Sequence, residues 1–250
     1  MSGHSKWHSI KHAKGAADAA RGKVFARLAR QIEVAARSGG GDVDGNPSLR
    51  TMVQKARDAS MPKDNIERAF KRGTGELEGV TYEEVHYEGY APNGVAVFVE
   101  TLTDNRNRTG AEIKNAFTRN GGSLAEPGAV SWQFERKGVV ILPKASADED
   151  DLMLVVLDAG GEDVEDQGDT WQVITPATEL HAVRGALEEA GMAFDSADLT
   201  MLPQQSVPLE DASSAKQVLR VIDALEEHDD VQNVYANFDI PTDVLESAMS

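Results

Sequence analysis

The sequence predicts an α+β multidomain protein: an N-terminal helical domain, then two α+β domains, the third ferredoxin-like and inserted into the second. Three observations carry that prediction. Apolar residues recur at helical spacing from Gly15 to Gly75, and β-rich segments with turn punctuation begin after Gly79. Residues 136–203 form a nearly self-contained strand-helix-strand-strand-helix-strand cycle, so the helix and strand after it are left to close the unit opened at Tyr82. A chain of 250 residues, 40% of them hydrophobic, has material for more than one core. The expected boundaries are 1–78 for the helical domain, 79–135 with 204–240 for the discontinuous domain, 136–203 for the insert, and 241–250 for a tail.

In the helical domain, Phe25, Leu28, Ile32 and Ala35 share one stripe of a helix over Arg21–Arg37, and Lys23, Arg27, Arg30 and Arg37 fall on the opposite side. Ser38-Gly39-Gly40-Gly41-Asp42 ends it. Asn46-Pro47 supplies an N-cap and a first-turn proline for a second helix, with Leu49, Met52, Val53 and Ala56 inward. A third begins at Pro62, turns Ile66, Ala69 and Phe70 inward, and is stopped by Gly73 and Gly75.

Next come strands over Tyr82–Tyr90 and Val95–Leu102, joined at Pro92-Asn93-Gly94 into a hairpin, with Val95, Val97 and Val99 alternating. A helix from about Arg108 to Asn120 and a strand at Val130–Glu135 follow. The insert reads as strand Val139–Leu142, helix Asp150–Ala159, strands near Val164 and at Trp171–Thr175, helix Thr178–Ala190 and strand Phe194–Leu202. Helix Ala215–Glu227 and strand Val231–Phe238 complete the second domain.

The net charge of −17 is unevenly spread. Residues 1–75 hold 15 Lys and Arg against 7 Asp and Glu, a balance of +8, while residues 76–250 hold 10 against 35, a balance of −25. With a Debye length of about 8 Å at physiological salt, a phosphate backbone on the basic module feels mainly that module. The absence of cysteine excludes disulfides, thiolate metal sites and a cysteine nucleophile. No apolar run has the length of a membrane span and the N-terminus has no apolar signal region, so a cytoplasmic protein with no membrane partner is expected.

Several familiar patterns fail on spacing. Gly15 and Gly22-Lys23 are too far apart for a phosphate loop, and Val24 stands where a hydroxyl is needed. Asp42-Val43-Asp44-Gly45 lacks the closing Glu of a calcium loop. Glu83-Glu84, Asp148–Asp151 and Glu226–Asp230 lack an evident base or orienting partner and read as solvated surface. His4, His8 and His12 recur every four residues, but with no carboxylate in the run they are read as nucleic-acid contacts and not as a metal site. No enzyme activity, small-molecule substrate, cofactor or metal is expected.

The residues expected to meet nucleic acid are Lys6, Trp7, His8, Lys11, His12 and Lys14 in the N-terminal tail, and Arg21, Lys23, Arg27, Arg30 and Arg37 on the first helix. Lysines supply point charges for phosphates, and Trp7 either stacks on a base or anchors the tail to a core. The basic helix face reads as solvated charge or as a polyanion surface. Its mutually repelling cations, with Glu33 the segment's only acid, favour the second. Arg106 and Arg108 are added because they oppose the dipole of the helix they start; an RNA, protein or interdomain contact would explain them.

The motifs Gly3-His4-Ser5-Lys6-Trp7, Ile10-Lys11-His12, Met61-Pro62-Lys63-Asp64-Asn65-Ile66-Glu67-Arg68-Ala69, Arg72-Gly73-Thr74-Gly75, Tyr87-Glu88-Gly89-Tyr90, Thr103-Asp104-Asn105-Arg106-Asn107-Arg108-Thr109 and Gly121-Gly122-Ser123-Leu124 stand in this order. In them the chain closely resembles the YebC/PmpR family, which includes the mitochondrial translational activator of cytochrome c oxidase I. The likeness runs through the whole chain and thins after about Gly138. It implies three domains and one of two roles: a DNA-binding transcriptional regulator, or a ribosome-associated factor that binds ribosomal RNA and relieves stalling at sequences such as proline runs. Ala13 departs from the basic residue the family pattern leads one to expect, which implies a somewhat weaker tail contact. The lack of a helix-turn-helix with a clear recognition helix leans toward RNA; the usual description of the bacterial family members leans toward DNA.

Overall fold

A computed structural model describes residues 17–248. They divide into two compact units: residues 132–206, and a larger unit built from the segments on either side.

The larger unit begins with three helices, α1 (Ala17–Gly39), α2 (Pro47–Asp58) and α3 (Lys63–Thr74). Leu28, Ile32 and Ala35 of α1 are buried with Leu49, Val53, Ala56, Met61 and Ala69, and Phe25 packs at the margin of that core. Asn46 caps α2 by accepting from the Leu49 N–H at 3.1 Å, and its amide donates to the carbonyls of Ala35 and Gly40, both at 2.8 Å. α3 ends at Gly75, whose φ of 83° is the left-handed conformation of a helix stop. Close approach of α3 to α1 requires a glycine: a Cβ on Gly73 would sit 2.6 Å from the Glu33 carbonyl oxygen and 2.7 Å from the Ala36 Cβ.

The remainder of this unit is an antiparallel sheet, β3-β1-β2-β9, formed by β1 (Glu83–Tyr90), β2 (Ala96–Thr103), β3 (Ser123–Leu124) and β9 (Val231–Ala236). The Pro92–Gly94 turn joins β1 to β2, with Asn93 at φ 64°. Helices α4 (Arg106–Arg119) and α7 (Ala212–Glu226) share a core with the sheet, in which Val97, Val99, Ile113, Phe117, Leu219, Ile222 and Val234 are buried. A short parallel pair, β8 (Val207–Pro208) with β10 (Phe238–Asp239), receives the chain as it returns. The segment expected as a tail instead forms α8 (Thr242–Ala248), because Leu245 and Ala248 bury against the same core. Glu88 holds the loop before residue 132: its carboxylate accepts the backbone N–H groups of Gly128, Val130 and Ser131 at 2.7, 2.6 and 2.8 Å. Burial pushes this carboxyl up, but the three amides outweigh burial and hold it below its ordinary range.

The smaller unit contains β4 (Phe134–Pro143), α5 (Glu149–Asp158), β5 (Asp163–Asp166), β6 (Thr170–Pro176), α6 (Leu180–Glu189) and β7 (Ser196–Pro203). Its antiparallel order β5-β6-β4-β7 is the ferredoxin-like arrangement. No separate strand forms at Val130–Glu135. Ser131–Gln133 make a 3-10 turn, and one strand runs from Phe134 through Gly138 into Val139–Leu142. Gly138 allows that continuity, since a Cβ there would meet the Thr175 hydroxyl at 2.6 Å and Leu180 at 2.8 Å.

Candidate nucleic-acid interface

Lys6, Trp7, His8, Lys11, His12 and Lys14 lie outside the described residues. The cations of α1 are described, and they separate into two groups.

Lys23, Arg27 and Arg30, spaced by four and three residues, project from one side of α1 onto the C-terminal end of α7. The Lys23 Nζ donates to the Glu227 carbonyl at 3.2 Å, Arg27 donates to the Glu226 carbonyl, and Arg30 donates to the Asp229 carbonyl. A helix C-terminus presents unpaired carbonyls and a partial negative charge, and the last turn of α7 has no basic residue of its own. α1 therefore caps α7 from about 200 residues away in sequence. Burial pushes the Arg27 guanidinium below its ordinary value, and the charge on Glu226 opposes this.

Arg37 sits at the other end of α1. It donates to the Val80 carbonyl at 2.7 Å and to Glu33 at 3.2 Å, tying the segment after α3 to the helical core. Glu33 is buried, with Arg72 at 4.0 Å as a second partner. Arg21 is exposed near the start of the described region.

Arg30 and Arg108 meet at Asp230. Its carboxylate accepts from Arg108 at 2.7 Å, from the Thr109 hydroxyl at 2.7 Å and from Arg30 at 3.2 Å. Asp230 is only 5% exposed, so the expectation that Glu226–Asp230 is solvated surface fails at this residue. Burial pushes Asp230 up, but the hydrogen bonds from Thr109 and Arg108 and the charges of Arg108 and Arg30 outweigh it and hold the carboxyl below its usual range. Asn105, the N-cap of α4, accepts from the Arg108 N–H, and Arg108 also pairs with Asp104 at 2.9 Å. These carboxylates explain a cation in the first turn of α4 despite the opposing dipole. Arg106 remains exposed and has no ion-pair partner among the described residues.

Around this junction lies a cavity of about 560 Å³, lined in part by Arg30, Tyr82, Arg108, Glu112, His228 and Asp230. Arg30 lies over the Tyr82 ring at 5.7 Å. The His228 Nδ1 accepts the Asp230 N–H at 3.1 Å, which leaves Nε2 to donate to Glu112 at 2.8 Å. Arg30, Arg108, Asp230, His228 and Glu112 are thus committed to one another, while Glu227 and Asp229 are exposed at the rim. Among the described residues, no three His, Cys, Asp or Glu side chains converge as metal ligands.

Sequence reasoning missed Asp230, Tyr82 and His228. One signal was available: a helix ending in Glu226 and Glu227, with no base in its last turn, needs cations from elsewhere.

Family models match nearly all of the chain, the TACO1/YebC N-terminal domain over residues 5–76 and the TACO1/YebC second and third domains over 82–238. A protein of Syntrophobacter fumaroxidans named "Probable transcriptional regulatory protein" is 55% identical over 98% of this chain and 99% of its own. One of the same name from Kineococcus radiotolerans is 57% identical over 98% of each. The crystal structure of a conserved hypothetical protein from Aquifex aeolicus superposes with a TM-score of 0.80 at 47% identity, covering 90% of this chain and 92% of that one.

Proposed function

The chain belongs to the TACO1/YebC family, and we propose that it is a cytoplasmic regulator of gene expression that acts by binding nucleic acid and not by catalysis. The observation that carries this reading is the segregation of charge: a balance of +8 in residues 1–75 against −25 in the remainder. Residues 132–206 alone hold 4 Lys and Arg against 16 Asp and Glu, so a phosphate backbone is repelled there and drawn to the helical module. The contact surface in this reading is the tail, with Lys6, Trp7, His8, Lys11, His12 and Lys14, together with Arg21 and Arg106; Lys23, Arg27 and Arg30 are engaged by the end of α7, and Arg37 by Val80 and Glu33. The names of the relatives favour transcription, and duplex DNA is the partner that role would imply.

One observation speaks against groove reading by a helix and so leaves ribosomal RNA as the second reading. α3 follows α2 after a four-residue turn, Ala59–Pro62, yet it exposes Asp64 and Glu67 among Lys63, Arg68 and Lys71, with Lys71 paired to Glu67 at 2.7 Å. An acid-bearing helix is poorly suited to reading a major groove.

Charge reversal tests the surface. The triple variant Lys6→Glu, Lys11→Glu and Lys14→Glu should weaken binding to duplex DNA and RNA oligonucleotides and flatten the salt dependence by about 0.7–0.9 for each phosphate no longer neutralised. An unchanged slope would place the surface elsewhere.

A further inference from the structure

The basic side of α1 is filled by an acidic turn of the same chain. Lys23, Arg27 and Arg30 donate to the carbonyl oxygens of Glu227, Glu226 and Asp229. Arg30 also reaches the Asp230 carboxylate at 3.2 Å. Four carboxylates, on Glu226, Glu227, Asp229 and Asp230, lie within five residues at the negative end of a 15-residue helix. A row of anionic and partially negative oxygens is also what a phosphodiester backbone presents to the same cations.

We propose that the turn between α7 and β9 is an internal competitor of nucleic acid: it occupies Lys23, Arg27 and Arg30, and a phosphate backbone engages them only by displacing it. The inference rests on the reading of the chain as a nucleic-acid-binding protein. The turn is built in two parts suited to this role. Asp230 is anchored by Thr109 and Arg108, neither of which belongs to α1, so it keeps its place when α1 lets go. Glu227 and Asp229 are exposed and meet α1 through their backbone carbonyls, while their carboxylates repel incoming phosphate. Lys23, itself exposed, is the cation a backbone reaches first. The turn raises the threshold for weak, indiscriminate polyanions and leaves strong partners able to pass it.

The chain has no cysteine, so a pair can be introduced without interference. The double variant Lys23→Cys/Glu227→Cys, joined by a short flexible bis-maleimide, locks the turn on α1. The unlinked double variant carries the same substitutions, so any loss of folding affects both forms equally. Fluorescence anisotropy with a labelled oligoribonucleotide and a labelled DNA duplex should show the linked form binding about fivefold or more weaker, the scale of one or two neutralised phosphates. The variant Glu227→Gln/Asp229→Asn should gain about threefold more affinity than Glu149→Gln/Asp150→Asn, which makes the same change in net charge on the smaller unit. Equal binding by linked and unlinked forms, or equal gains from the two neutralised pairs, overturns the competitor while leaving nucleic-acid binding standing. Binding of neither probe by the unmodified protein overturns both.

Discussion

Replacing Asp230 by alanine should destabilise the larger unit by about 2.5 kcal/mol, a figure that follows from what Thr109 and Arg30 lose. The buried Thr109 hydroxyl loses a charged acceptor at 2.7 Å, worth about 1.5 kcal/mol. Arg30, with its side chain 20% exposed, loses a partly buried ion pair worth about 1 kcal/mol. The Arg108 side chain is 42% exposed and keeps Asp104 as a partner, so solvent screening leaves its share minor. For a unit of this size, that total corresponds to a melting-temperature drop of about 5–10 °C, measurable by circular dichroism at neutral pH. Asp230→Asn should lose about half as much, since the amide still offers one acceptor oxygen. The sign with pH follows from the depressed carboxyl. Its stabilisation is fully present above the ordinary aspartate value of about 4 and is lost as pH falls through the lower folded value. The difference between the unmodified protein and Asp230→Asn should therefore be constant from neutrality down to about pH 5 and shrink below it. A loss of less than about 1 kcal/mol for Asp230→Ala, or a difference that ignores acid, would refute the account of Asp230 as the ionised centre of the junction.

Arg27→Met keeps the apolar stem and deletes the cation at the end of α7; a loss of about 1–2 kcal/mol in urea unfolding is expected, and none would mean that the trans cap is ornamental. Gly73→Ala should cost about 1–3 kcal/mol despite the better helix propensity of alanine, because its Cβ meets the backbone of α1; a stabilised variant in thermal melts would contradict the close approach. Glu88→Gln leaves three backbone amides, that of Val130 buried, with a weaker acceptor, so limited proteolysis should cut the segment 126–131 severalfold faster, with about 2 kcal/mol lost. An unchanged cleavage rate would remove Glu88 as the anchor of that segment.

Local signals made much of the fold legible. The stripe Phe25, Leu28, Ile32 and Ala35 faces the helical core, and Asn46 caps α2. The alternation Val95, Val97, Val99 lies in the sheet core, and the insert has the predicted order of strands and helices. Failures came where a local pattern was interrupted or where a partner was remote. Arg136-Lys137-Gly138 breaks the apolar alternation of β4, so one strand reads as two pieces. The few apolar residues of Thr242–Ala248 are too sparse to announce a helix, yet Leu245 finds a core made by other segments. The basic side of α1 was visible as a stripe, but no periodicity tells Arg30 that its acceptors lie at Asp229 and Asp230. Asp230 reads as solvated, like the exposed Glu227 and Asp229 beside it, for the same reason: the meeting of α1, α4 and the end of α7 is purely tertiary.

Ultraviolet cross-linking in cells, followed by fractionation on a sucrose gradient, sequencing of the attached nucleic acid and mapping of the cross-linked peptides, tests the central claim most directly. Nucleic acid should be attached to peptides from residues 1–75, with enrichment of discrete promoter DNA for the transcriptional reading and co-migrating ribosomal RNA for the second. Cross-links confined to residues 76–250, or no nucleic acid above the background of the Lys6→Glu, Lys11→Glu and Lys14→Glu variant, would contradict it.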